Sequence, residues 1–364
     1  MVSLRGRGGP LWLGILGVLV LAAGCTAEPG APADPASTSA PPPSPSTPSP
    51  STPSASTPSA STPSASTSSG AALPETDLEQ AGARVISVTG DWLAAGEGAV
   101  WLSGVTLVHR LDPRSGKTVA RVPVPQGPCQ ASVVAFGSLW TATCERPGLA
   151  RIDPRTNRVA KHLRLDVAGD GEGSIGAGAG AVWVLVDAEN CQACRLAEVD
   201  PMSMRVRRTV AVTGGAAAVR YGAGSAWVTN PAAGLVEQVD PGRGKVRRRI
   251  PVGSNPRFLA VGEGAVWTLN QGDGSVTRVD PTTGDTTEVP VGFAGEGGDA
   301  TAGGGWVWVR GGSDLLARLD PVEGRVVEKY GPASGSGAVV VGFGAVWVSA
   351  HDVDTVWRLP LPPS

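Results

Sequence analysis

The chain has 364 residues, with 30 Lys+Arg against 32 Asp+Glu and a formal charge of −2. That balance leaves no cationic excess to neutralise phosphates, which excludes nucleic acid as the main partner and gives no reason to expect an anionic membrane surface. Aromatic residues make up only 5%, yet 11 are Trp, and 51 Gly and 32 Pro supply many turns.

The N-terminus reads as an address. Arg5 and Arg7 precede an apolar run over residues 11–23, too short for a comfortable membrane span. Residues 1–24 therefore read as a signal peptide. The segment Leu-Ala-Ala-Gly-Cys25 resembles the lipobox of bacterial lipoproteins, with Ala22 standing where leucine is more usual. The resemblance implies lipidation at Cys25 and anchoring to the outer face of the cytoplasmic membrane through an N-terminal lipid. Residues 25–77 are then dominated by Pro, Ser, Thr and Ala, with tandem STPSA pentads. Such a segment has almost nothing to bury and is expected to form a disordered tether, reaching ~40 Å as a flexible coil.

From residue 78 the chain repeats. Trp101, Trp140, Trp183, Trp227, Trp267, Trp308 and Trp347 recur at a mean spacing of 41, and residues 78–364 divide by seven into the same 41. Around Trp267 the pattern predicts strands over 258–261, 265–269, 275–279 and 286–291. A Gly-x-Gly turn follows the first, an Asn-Gln-Gly-Asp-Gly turn the second and an Asp-Pro turn the third. Four short strands at this period predict an all-β fold, a seven-bladed β-propeller of four-stranded blades. The last unit stops without a fourth strand, while residues 83–88 resemble one, so an N-terminal strand is expected to close the ring. The repeat tryptophans read as packing between blades, and the aspartates before proline at 112, 153, 200, 240, 280 and 320 as turn formers.

Five cysteines divide into the lipidation site and four others. Outside the cytoplasm an even remainder favours disulfides. The blade register pairs Cys129 with Cys144, and Cys191 with Cys194 in one long turn. The Cys-x-x-Cys has no thioredoxin context and no partner histidine, which leaves redox or zinc chemistry the weaker alternative.

Turns between second and third strands share one face with the connections between blades. That face is rich in acids, and its candidate ligand residues are Glu189, Asn230, Asn270, Asp273, His351, Asp352 and Asp354. Carboxylates gathered at a channel mouth would favour a cationic ligand, with a divalent cation as the one cofactor to consider. No catalytic constellation and no metal-spaced set is evident, and each Gly-x-Gly precedes a strand where a dinucleotide site needs a helix.

Ala226-Trp-Val-Thr-Asn230 and Val266-Trp-Thr-Leu-Asn270 resemble the Tyr-Val-Thr-Asn repeat of bacterial and archaeal surface-layer propellers. The Gly-x-Gly-x-Val-Trp and Arg-Val-Asp-Pro elements resemble streptogramin (virginiamycin B) lyase. The lyase resemblance implies a magnesium-dependent elimination with a His base and Glu residues. Here the third position after each repeat Trp holds Gly104, Thr143, Val186, Asn230, Asn270, Gly311 and Ala350, none of them acidic or His. His109 and His162 fall on third and fourth strands, leaving His351 alone within reach of the ligand face. The leading expectation is a monomeric, membrane-tethered extracytoplasmic binding propeller for a small molecule, a cell-envelope glycan or a protein. A metal-dependent lyase and a structural envelope spacer are the alternatives.

Overall fold

The computed structural model describes residues 73, 75–167, 171–186, 193–293, 295, 297–312, 315–332 and 335–363. The signal peptide, Cys25, nearly all of the tether, Glu189 and Cys191 lie outside them. Seven antiparallel sheets follow one another as blades, over residues 92–123, 128–164, 175–211, 219–251, 256–290, 299–331 and 339–360. The first strands of successive blades touch around the ring, and Val339–Gly342 of blade seven closes onto Trp92–Gly96 of blade one. The first strands thus line a channel and the fourth strands face outward. Among the described residues no helix is long and apolar enough to cross a membrane.

Blade five matches the predicted unit closely, with strands Pro256–Gly262, Ala265–Asn270, Ser275–Val279 and Thr286–Pro290. Its first turn carries Glu263 and Gly264 at φ of 50° and 77°, the left-handed geometry that a tight hairpin needs. All seven repeat tryptophans are fully buried. Six donate their indole N–H to a carbonyl five residues earlier, as Trp267 does to Gly262 at 3.1 Å. Trp308 is the exception, with no acceptor for its Nε1 among the described residues. It stacks on Tyr330 at 6.2 Å between ring centroids.

The Arg of the Arg-x-Asp-Pro element has a structural use that the sequence did not announce. Arg110, Arg151 and Arg278, and Arg358 at the matching register of blade seven where Leu359-Pro360 replaces x-Asp-Pro, lie 5.4–5.9 Å over their blade's tryptophan, a cation–π contact across the strand pair. Three of them also reach the next blade: Arg110 to the Pro154 carbonyl at 2.8 Å, Arg151 to Pro201 at 3.1 Å and Arg358 to Pro113 at 3.0 Å. In blade four Gln238 makes the same link to Pro281 at 3.2 Å. Each of these Asp-Pro turns is therefore gripped by its neighbour. The aspartates are turn formers as expected, Asp280 accepting the Thr282 and Thr283 amides at 2.7 and 2.9 Å. Those amide hydrogen bonds hold its carboxyl below the ordinary aspartate range.

The ring closes as predicted. Arg84–Ser87 pairs antiparallel with Thr355–Pro360, placing Arg84 opposite Arg358 and Ser87 opposite Thr355. One boundary moves. Residues 75–77 read as tether in the sequence, but Glu75–Asp77 is a parallel fifth strand on the outer edge of blade six, beside Arg325–Gly331. Leu78 explains it: this side chain is fully buried in the cluster that holds Trp308, Tyr330 and Trp357, and it draws the preceding residues onto the sheet edge.

Candidate functional site

The channel is not open at the face where ligands were expected. Trp92, first residue of blade one, and Phe258 of blade five meet across it at 5.9 Å, 4% and 2% exposed. Arg220 lies over Trp92 and Arg257 over Phe258, each at 5.6 Å. Arg257 also pairs with Glu172 at 3.1 Å. Contacts between non-adjacent blades can form only across the axis. The aromatic rings and their two guanidiniums seal it.

Beside the seal lies a half-open cleft of 340 Å³ between blades seven, one and two. Its walls come from the connection 89–91, the turn 103–105, the start of blade two's first strand and His351. Val105 stands at the rim, 79% exposed. Gln130 donates its amide N–H to Asp91, which lies 3.8 Å from His351 Nδ1. His351 Nδ1 is 2.8 Å from the Ser336 carbonyl. A carbonyl only accepts, so Nδ1 carries the proton and Nε2 of the neutral ring keeps a lone pair. The cleft thus offers a carboxylate, an amide and an imidazole on an otherwise apolar wall.

The predicted bridge Cys129–Cys144 forms one side of this cleft and joins positions 15 apart in sequence. A loop of that length adds roughly 3 kcal/mol in the chain-entropy account. Here it also pins an irregular stretch, since the pairing register breaks between Pro128 and Ser132, where Gln130 sits. Cys194 is likewise disulfide-bonded; Cys191, its expected partner, lies outside the described residues.

The candidate ligand residues separate into two groups. Asn230 and Asn270 sit on the expected face but are fully buried. Asn230 donates to the Thr213 and Gly214 carbonyls at 3.1 and 2.6 Å and accepts the Ala233 amide at 2.9 Å. Asn270 donates to the Ser275 and Thr277 hydroxyls at 2.9 and 2.8 Å and accepts from Thr268 at 2.9 Å. Both act as turn braces with their amide atoms engaged. Asp273 is similarly engaged, accepting the Ser254 amide at 2.5 Å and the Ser275 amide and hydroxyl at 3.0 and 2.6 Å. Burial pulls its carboxyl up, but these hydrogen bonds outweigh that and hold it below the usual range.

Of the blade-seven trio, only His351 lines the cleft. It opens the short 3-10 turn His351–Val353. Asp352 accepts the Gly335 amide at 2.8 Å, and Asp354 takes the left-handed position that ends the turn, with φ 50°. The expected repulsion among crowded carboxylates is offset from below. Arg310 is fully buried and donates to the Ser349, Gly311 and Gly335 carbonyls. Burial lowers its pKa to about 10, opposed by Asp352 and Asp91, so it stays a cation beneath both acids. Among the described residues no three His, Cys, Asp or Glu side chains gather as a metal site.

The sequence reading missed Trp92 and Phe258, although the repeat holds a signal for them. Nine residues before the repeat tryptophans stand Trp92, Ala131, Ser174, Ala218, Phe258, Asp299 and Ala338, all buried at the channel. Four small residues, two aromatics and one acid at one register position mark where the framework ends.

No family model matches the sequence, and no curated protein is similar to it in sequence. Solved structures do share its fold. The crystal structure of BamB from Moraxella catarrhalis is 15% identical with a TM-score of 0.54, over 74% of this chain and 85% of that one. The hydrazine synthase of Kuenenia stuttgartiensis is 15% identical with a TM-score of 0.60, over 77% and 97%. The Pan2 WD40 domain of Neurospora crassa is 10% identical with a TM-score of 0.60, over 76% and 89%. At these identities the likeness establishes the propeller architecture alone.

Proposed function

We propose that the chain is a binding propeller held outside the cytoplasm by a lipid on Cys25, which takes its ligand in the off-axis cleft beside Asp91, Gln130 and His351. The observation that carries this reading is the aromatic seal. With the axis closed by Trp92 and Phe258, the 340 Å³ cleft is where polar groups meet apolar wall on the loop face. A carboxylate and an imidazole with a free lone pair both accept, so the ligand presents hydrogen-bond donors on an apolar body. A small molecule or the tip of a glycan or protein chain fits those terms.

Thermal-shift screening against divalent metal chlorides, cell-wall glycan fragments and macrolactones should yield at least one stabilising compound. That shift should vanish in Val105→Trp, which fills the cleft from its rim. It should persist in Val322→Trp, on the opposite face and 92% exposed. Equal shifts in both variants would dismiss the cleft, and no shift with any compound would favour the spacer reading. The anchor rests on the Leu-Ala-Ala-Gly-Cys25 segment and is tested separately. A Cys25→Ala chain should leave the membrane fraction on carbonate washing, and one that stays there has another anchor.

A further inference from the structure

Beneath the aromatic seal the channel holds a second space, a half-open chamber of 170 Å³ separate from the cleft. Its lining runs from Arg220 and Asp299 along the first strands to Ala95, Val134 and Val340, close to the Gly-x-Gly turns. Half of the lining residues are Ala or Val. The charged pair is the exception.

That pair is loosely made. Arg220 Nη2 lies 3.4 Å from Asp299 Oδ1, although Asp299 is only 2% exposed. Its Oδ2 accepts the Val339 amide at 3.3 Å. Arg220 also reaches the Val219 and Gly173 carbonyls at 3.0 and 3.4 Å. Charge-assisted N–H···O bonds ordinarily close to about 2.7–2.9 Å. Several pairs in this chain do, Arg208–Glu198 at 2.6 Å and Arg318–Glu328 and Arg249–Glu237 at 2.8 Å. Arg207–Glu198 at 3.3 Å and Arg257–Glu172 at 3.1 Å are also long, with more exposed arginines or acids than the 2% exposed Asp299. Both Asp299 oxygens have partners, but at 3.3–3.4 Å, so a buried ion pair on the chamber wall keeps hydrogen-bonding capacity facing that space.

We propose that the chamber binds a small monocarboxylic acid, one oxygen accepting from Arg220 and the other sharing a single proton with Asp299. A cation would face the Arg220 guanidinium at contact distance. A bare anion would face the Asp299 carboxylate. A carboxylate that arrives with one proton satisfies both, because two carboxyls at one site cannot both ionise and share a single proton instead. The short alkyl remainder packs on the Ala and Val wall. No bond is made or broken beyond the proton taken from solvent.

The surroundings of Asp299 agree with such a role. Burial raises its carboxyl to about 6, Arg220 and the Ala300 and Val339 amides oppose this, and Asp91 adds to it. Arg310 stands opposite Asp299 across the first strand pair of blade six. The remaining chamber lining from blades one, two, three and seven, such as Ser132, Ile175 and Val340, carries no charge. Raising the pH through about 6 removes the proton that the complex must hold.

Propionate is the probe, titrated calorimetrically into the full propeller at pH 5.5 and 7.5, in two buffers of different ionisation enthalpy. Wild type should bind about 25-fold more weakly at pH 7.5, given a group titrating at about 6. It should also take up close to one proton there, a readout that needs no variant. Arg220→Gln should lose binding. Asp299→Asn, whose amide donates as the protonated acid does, should bind with less than about twofold change between the two pH values. The proposal is overturned by no propionate binding at pH 5.5, by binding without proton uptake at pH 7.5, or by Arg220→Gln binding as well as wild type.

Discussion

Removing residues 1–88 should unfold the whole propeller, whereas a chain beginning at residue 73 should melt like the full-length protein. The N-terminal strand Arg84–Ser87 is the fourth strand of blade seven, and without it Thr355–Pro360 becomes an open edge. The four paired residues contribute about 1 kcal/mol per ladder hydrogen bond. Burial of Leu78 and partial burial of Ile86 add roughly 2–3 kcal/mol each at most. A total of about 5–10 kcal/mol is comparable to the entire stability of an ordinary domain. A chain beginning at residue 79 loses Glu75–Asp77 and Leu78 but keeps the closing strand, so it should fall between the two. Calorimetric melting of the three truncations reads the order directly. Equal melting of the chains beginning at 73 and 89 would mean that the ring does not depend on its N-terminal clasp.

Trp267→Ala should cost about 3–5 kcal/mol, the range for deleting a buried indole that its surroundings cannot collapse to fill. Trp267 is fully buried in a rigid sheet, donates to Gly262 at 3.1 Å and supports Arg278 at 5.8 Å. All three contacts disappear together. Urea unfolding should show the midpoint fall with little change in slope, since the ring still unfolds as one unit. A loss under about 1 kcal/mol would contradict a packing role for the repeat tryptophans.

What could be read from the sequence was whatever repeats. Period, blade number, strand limits, turn aspartates and the closing strand follow from patterns that recur seven times, so local rules reinforce one another. The site residues did not follow, because a site is where a repeat departs from itself. Asn230 and Asn270 looked functional for being polar at a loop end, yet polar side chains there serve the turn first. Nothing local in the sequence marks Arg310 as the buried cation beneath Asp91 and Asp352. Trp92 and Phe258 share one register position of the repeat but stand 166 residues apart, and nothing local marks them as partners. Only the closed ring brings them together. Glu75–Asp77 is too short for propensity to separate from a tether, and its place is fixed by Leu78.

Two loop clusters compete for the ligand: the cleft at 89–91, 103–105 and 128–130, and the turns 253–255 and 271–273 across the sealed mouth. Hydrogen–deuterium exchange with the strongest compound from the thermal-shift panel separates them. The off-axis account predicts added protection at the first cluster, centred on Asp91, Val105 and Gln130, and none at the second. Protection centred on Ser254 and Asp273, with the first cluster unchanged, would contradict it.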